Sequence, residues 1–202
     1  YNVHQATAIT TAGQFIIQYI EQQVNKYMND ILQTKDKVDY IVASDTDSIY
    51  LCLDKLVEKV CKDKTKEQKI NFINKVVENK LEPFIDKCFN QLAKYTNAFQ
   101  QKMVMKRECI ADKGIWTAKK RYMLNVLDEE GFRFEEPKLK IMGIEAVKSS
   151  TPEVCRVAIK EAIKIVMNKE ETDLHNYIAK FREEYKQYEP EQIAFPRSCN
   201  NL

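Results

Sequence analysis

A chain of 202 residues has room for one large or two small domains, and its 44% hydrophobic and 31% charged content excludes the disordered class. A formal net charge of +2 is close to neutral, so the total says nothing about nucleic acid and only the distribution of charge can. No apolar run approaches the ~20 residues of a membrane span and no signal peptide is recognisable, while four Gly and five Pro argue for long regular elements.

From residue 6 to residue 32, apolar side chains recur at Ile9, Ala12, Ile16, Ile20, Val24 and Tyr27, which is helical spacing. Polar residues 34–37 make a turn. Residues 40–43 and 49–53 read as two strands, joined by a tip carrying Asp45-Thr46-Asp47-Ser48. No Asn-Gly or Gly-X pair marks a standard two-residue turn there. A helix over 66–96 puts Ile70, Ile73, Val77, Leu81, Phe84 and Cys88 on one stripe, and Pro83 must kink or divide it. Strand texture occupies 103–134, with a hairpin at 128–131 in which Gly131 supplies a positive φ. "KLKIMGIEAV" continues as a strand. "SSTPEV" then starts a helix, either with Thr151 as N-cap and Pro152 at the first helical position or with a Ser150–Glu153 capping box. A second helix begins near Thr172, and the tail from Glu189 is loop-like. The reading is an α+β domain over residues 1–146 followed by a small helical region over 147–202.

The six cysteines, Cys52, Cys61, Cys88, Cys109, Cys155 and Cys199, form no CxxC pair, and most sit among apolar neighbours. They read as reduced core residues of a cytosolic-type compartment. The first residue is Tyr1 rather than Met, so the expectation is that translation began further upstream.

The apolar flanks of Asp45 and Asp47 set the chemical question. Two carboxylates two residues apart can converge across a tight tip, and where they do they must share a proton or hold a cation. Hard oxygen ligands suit Mg²⁺ or Mn²⁺. A solvated turn with two Asp side chains is the plainer alternative. An EF-hand fails, since its Gly position is Tyr50 and its closing Glu position is Leu56. A phosphatase of the haloacid-dehalogenase type continues Gly-Thr where this chain has Ser48-Ile49. A glycosyltransferase Asp-x-Asp usually accompanies a nucleotide-binding α/β half that is not recognisable here. A third option is a nucleotidyl transferase with its Asp pair at a hairpin tip.

Residues 100–123 carry seven cations, Lys102, Lys106, Arg107, Lys113, Lys119, Lys120 and Arg121, against Glu108 and Asp112: a net +5, which leaves −3 for the rest of the chain. With Trp116 and Tyr122 interleaved, the segment suits a phosphate-backbone contact. A solvated lysine-rich edge strand is the bland alternative.

"ASDTDSIY" at 43–50 resembles the Y-G-D-T-D-S stretch (motif C) of family B DNA polymerases, and "KKRY" at 119–122 resembles that family's palm–thumb motif at the expected distance downstream. "QATAITTAGQFIIQYI" is similar to the helix after the family's fingers motif, and "KLKIMGIEAVKSSTP" to the palm-to-thumb passage of the T-even-type bacteriophage enzymes. The order of four stretches over nearly the whole chain makes the resemblance specific. It implies an antiparallel palm sheet backed by helices over 1–146 and the start of a thumb over 147–202. It also implies template-directed addition of deoxynucleotides to a primer 3′ end, with two Mg²⁺ ions (or Mn²⁺) about 3.5–4 Å apart.

By motif position the resemblance makes Asp47 the leading catalytic metal ligand, with Asp45 beside it and Glu108 near the metal site. Thr46 and Ser48 shape the tip. Lys119, Lys120, Arg121 and Tyr122 grip the primer, and Lys140 reaches the duplex upstream. The implied partners are primer-template DNA, deoxynucleoside triphosphates, an N-terminal portion of the polymerase and a sliding clamp, without a membrane, in the cytoplasm of an infected bacterial host. Two departures matter. Ala43-Ser44 stands where the family has Tyr-Gly, and Ser44 is strained if that position needs a positive φ. The D-x-x-S-L-Y-P of motif A, the fingers motif and the exonuclease motifs are not in the chain. The expectation is therefore a C-terminal polymerase piece, cut or encoded separately, that is inactive alone. The alternative is a non-catalytic DNA-binding palm module.

Overall fold

The computed structural model describes residues 2–34 and 37–197. Tyr1, Cys199 and the centre of the turn expected over 34–37 lie outside the described residues. The chain is α+β, with a two-stranded and a three-stranded antiparallel sheet, and it divides into two compact units, Tyr1–Glu108 and Cys109–Leu202.

In the first unit, α1 (Val3–Leu32) opens at Asn2, whose side chain accepts from the Gln5 N–H, and closes at Gln33 in the left-handed region at φ 52°. Its buried stripe is Ile17, Ile20, Val24, Met28 and Leu32, so only the C-terminal half of the helix packs, while Ile9 and Phe15 are exposed. β1 (Ile41–Asp45) and β2 (Ser48–Leu51) form the expected hairpin. α2 (Asp54–Cys61) was not legible in the sequence; it buries Leu56 and Cys61. α3 (Lys66–Val76) starts at a Thr65–Gln68 capping box.

The helix expected over 66–96 runs on through Pro83 with helical backbone at each junction: a π-helical turn (Val77–Leu81) follows α3 and leads into α4 (Glu82–Tyr95), and this local irregularity lies immediately before the proline. The core joins Ile20, Val24, Tyr40, Leu81, Ile85 and Phe89, and Tyr27 stacks on Phe84 with ring centroids 4.0 Å apart.

In the second unit, β3 (Cys109–Ala118), β4 (Arg121–Glu129) and β5 (Phe132–Met142) form the sheet, with β4 in the middle. Covered on both faces, β4 buries every residue from Tyr122 to Asp128, polar Asn125 and Asp128 included. Glu130 (φ 50°) and Gly131 (φ 89°) make the β4–β5 turn, the paired positive φ of a type I′ hairpin.

The strand expected over "KLKIMGIEAV" stops halfway. Gly143, at φ 66°, ends it, and Glu145–Val147 is a 3₁₀ turn. α5 (Glu153–Asn168) starts one residue later than expected, with Pro152 itself at the cap position and no side-chain cap, so neither expected capping arrangement forms. α6 (Glu171–Tyr185) carries a Glu170–Asp173 capping box, and the short α7 (Pro190–Ile193) lies in the tail read as loop. Met123, Ile144, Ala146, Ile163 and Met167 form the core of this unit. Cys52, Cys61, Cys88 and Cys155 are free thiols; Cys61 and Cys88 are buried, and burial pushes the Cys88 thiol up despite the opposing charge of Lys87. No helix among the described residues is long and apolar enough to cross a membrane.

Candidate functional site

The carboxylate hairpin is held by two asparagines one helical turn apart on α1. Asn29 accepts the Val38 N–H at 2.9 Å and donates to the Val38 carbonyl at 2.8 Å, as a neighbouring strand would. Asn25 accepts the Tyr40 N–H at 2.8 Å and donates to the Asp39 carboxylate at 2.8 Å. The chain therefore enters β1 already paired, with Tyr40 buried beneath it.

At the tip Asp45 pairs with Ser48, leaving Thr46 and Asp47 as the loop. The Asp47 N–H donates to the Asp45 carbonyl at 2.6 Å across Thr46, which sits at φ 53°: a γ-turn with a β-branched residue in the left-handed region. Thr46 Oγ1 donates to Asp45 Oδ1 at 3.0 Å, and Ser48 Oγ to the Asp45 carbonyl at 3.2 Å. The condition for strain at Ser44, a positive φ, is not met: Ser44 is a strand residue opposite Ile49, and the positive φ lies at Thr46. Asp45 is half-buried and Asp47 is exposed.

Glu108 lies in the same unit, exposed, just before β3; the preceding Arg107 N–H donates to Glu82 of α4 at 3.1 Å. Among the described residues no group of three or more His, Cys, Asp or Glu side chains is placed to hold a metal ion. Two carboxylates still suit magnesium, which is commonly held by one or two carboxylates together with substrate phosphates and water. Asp45 and Asp47 are the two carboxylates of the tip with that donor chemistry.

The basic residues lie mostly in the second unit. Lys119 and Lys120 are the exposed turn between β3 and β4, with Lys120 at φ 60°. Arg121 Nη2 donates to both carboxylate oxygens of Glu145, at 2.7 and 2.9 Å, and Lys148 Nζ donates to the same carboxylate at 2.9 Å. The Lys148 ammonium first, with Arg121 adding to it, holds the Glu145 carboxyl down to about 2. Tyr122 is buried and stacks on its cross-strand partner Trp116 with centroids 6.2 Å apart, so the interleaved aromatics face each other. Lys140 is half-buried on β5 opposite Leu124. Lys113, counted in the basic stretch, donates instead to the Met167 carbonyl at the end of α5. Beside it, buried Asn125 donates to Asp112 at 2.7 Å and to Asn168 at 3.3 Å.

Sequence reasoning missed the positioning residues Asn25, Asn29, Gly143, Glu145 and Lys148. The one available signal was a pair of asparagines four apart within a long helix, where Asn is a poor former unless its amide has work elsewhere.

Comparison with known proteins gives two findings. Residues 8–188 match the family described as Divergent Family B DNA polymerase. The whole chain is also 42% identical to the DNA-directed DNA polymerase of Enterobacteria phage T4 and 42% identical to that of Escherichia phage RB69. The chain spans about a quarter of the length of these relatives, 24% and 23% respectively.

Proposed function

The chain belongs to the divergent family B DNA polymerases, and from that premise we propose that it supplies the C-terminal palm (residues 1–146) and the start of the thumb (147–202) of a template-directed DNA polymerase. The observation that carries the reading is the order, in a chain matched along its whole length, of a carboxylate hairpin tip and then a lysine turn.

In this reading the tip of β1–β2 presents Asp47 outward and Asp45 beside it, with Glu108 contributing nearby. Magnesium held there would lower the pKa of the primer 3′-hydroxyl and neutralise charge on the departing pyrophosphate. Thr46 and Ser48 fix the orientation of Asp45 through the hydrogen bonds described above. The Lys119–Tyr122 turn takes the phosphates near the primer terminus, and Lys140 takes the duplex further back. Deoxynucleoside triphosphates, a sliding clamp and the cytoplasm of an infected bacterium complete the proposed setting; the two relatives named above are phage proteins.

These 202 residues contain no D-x-x-S-L-Y-P sequence. Synthesis on this reading requires a polypeptide that brings that second carboxylate motif. Primer extension with the chain alone and after mixing with such a polypeptide tests this. Incorporation only after mixing, abolished by Asp47→Asn while duplex binding persists, supports the proposal. Robust incorporation by the chain alone overturns the requirement, and duplex binding with no rescued synthesis favours a non-catalytic DNA-binding palm module.

A further inference from the structure

The lysine turn is clamped from below. Gly143 lies so close beneath it that a Cβ there would stand 2.1 Å from the Lys120 carbonyl oxygen. Two residues on, Glu145 takes the Arg121 guanidinium in two hydrogen bonds from one nitrogen. Glu145 is itself immobilised, because Ile144 and Ala146 on either side are buried in the core against Ile163 and Met167 of α5. On the far side, Thr117 Oγ1 donates to the Arg121 carbonyl at 3.2 Å, and the next residue, Tyr122, is buried. Arg121 is thus tied at its side chain to Glu145 and at its backbone to Thr117. Lys119, by contrast, is exposed and makes no ion pair among the described residues.

A guanidinium already joined to a carboxylate gains little by moving to a phosphate, since one charge-assisted pair replaces another. We propose that Glu145 is a positioning residue for the lysine turn: it holds Arg121 as a strut, and Lys119 and Lys120, not Arg121, make the phosphate contacts. This deepens, and rests on, the reading that the turn meets DNA. It divides the turn by task, with two lysines for the ligand and an arginine for the scaffold.

The test uses the full 202-residue chain and a primer-template duplex, with two readouts: amide hydrogen exchange of residues 117–122 and the salt dependence of binding. Glu145→Gln is expected to speed exchange in the turn and weaken binding several-fold, with the slope of log K against log salt unchanged. Arg121→Ala behaves the same way, and combining the two adds nothing further. Glu145→Asp retains protection. Lys119→Ala and Lys120→Ala each flatten the slope by about 0.9 and leave exchange alone.

Tighter binding by Glu145→Gln shows that Glu145 merely repels phosphate and overturns the proposal. So does unchanged exchange in the turn, or a slope flattened by Arg121→Ala as one lost phosphate contact requires. If the unaltered chain binds no duplex at low salt, the nucleic-acid reading fails and takes with it the roles given to Lys119 and Lys120. The exchange arm still decides whether Glu145 holds the turn.

Discussion

The α-carbon of Gly143 sits directly beneath the carbonyl of Lys120, and the space between them is too small for a methyl group: a Cβ at 143 would meet that oxygen at 2.1 Å. Gly143 also has φ 66°, where a side chain is strained even without a neighbour. Because the obstacle is backbone, it cannot rotate away. Gly143→Ala is expected to destabilise the second unit by about 2 kcal/mol or more, measured by urea unfolding. A loss within about 0.5 kcal/mol, the range of an ordinary surface change, contradicts the close approach.

Asn125 can be tested by pH. It is 2% exposed and donates to Asp112 at 2.7 Å. Asn125→Asp keeps the shape and sets a carboxylate at a buried position against the exposed Asp112. Burial and the neighbouring like charge both raise the pKa of the introduced carboxyl on folding. A raised carboxyl pKa costs stability above its unfolded value, and the cost shrinks as pH falls. The variant should therefore melt well below the parent at pH 7 and approach it toward pH 4, in thermal scans across that range. A pH-independent deficit contradicts the pairing.

The hairpin tip stores strain that substitution can release. Thr46 is β-branched at φ 53°, a conformation costing about 1–2 kcal/mol for a residue with a Cβ. Thr46→Gly removes that cost but also raises the entropy of the unfolded chain and deletes the hydroxyl that bonds Asp45. Thr46→Asn retains a polar group and tolerates the left-handed region better. The expected order of stability in chemical denaturation is Asn above Thr, by roughly 0.5–1 kcal/mol. If Thr46→Asn is the less stable, the tip is not a γ-turn in solution.

Glu145 gives a spectroscopic prediction. Its carboxyl, held near 2, should titrate far below a free glutamate when followed by carbonyl chemical shift. Lys148→Ala should raise it most and Arg121→Ala should raise it less, in the order of their influence. A depressed carboxyl pKa contributes stability that is complete above the unfolded value and is lost as pH falls through the folded one. The window here runs from about 4.5 down to about 2. An ordinary titration near 4.5 would show that the two cations do not hold this carboxylate in solution.

What the sequence revealed, and what it hid, divides by range. The carboxylate tip and the Gly131 turn were readable because turn chemistry is local. α2 was hidden by its eight residues, too few for a period to stand out. The false strand through Glu145 has a clear cause: Ile144 and Ala146 are buried and Glu145 is not, so a 3₁₀ turn reproduces the alternation of a strand. The basic stretch overstated its ligands because Lys113 spends its charge on a carbonyl 54 residues away. Likewise, the asparagines that steady the hairpin act across 9 and 15 residues, beyond what a window along the chain reveals.

The uncovered half of α1 has a practical consequence. Residues 3–16 form about 20 Å of rod with no buried side chain, interrupted by Gly13 and rich in threonine and other β-branched residues of weak helix propensity. A helix of that length scarcely sustains itself in water and borrows its order from the anchored turns that follow. Its helicity is therefore tied to the packing of Ile17, Ile20 and Val24 behind it.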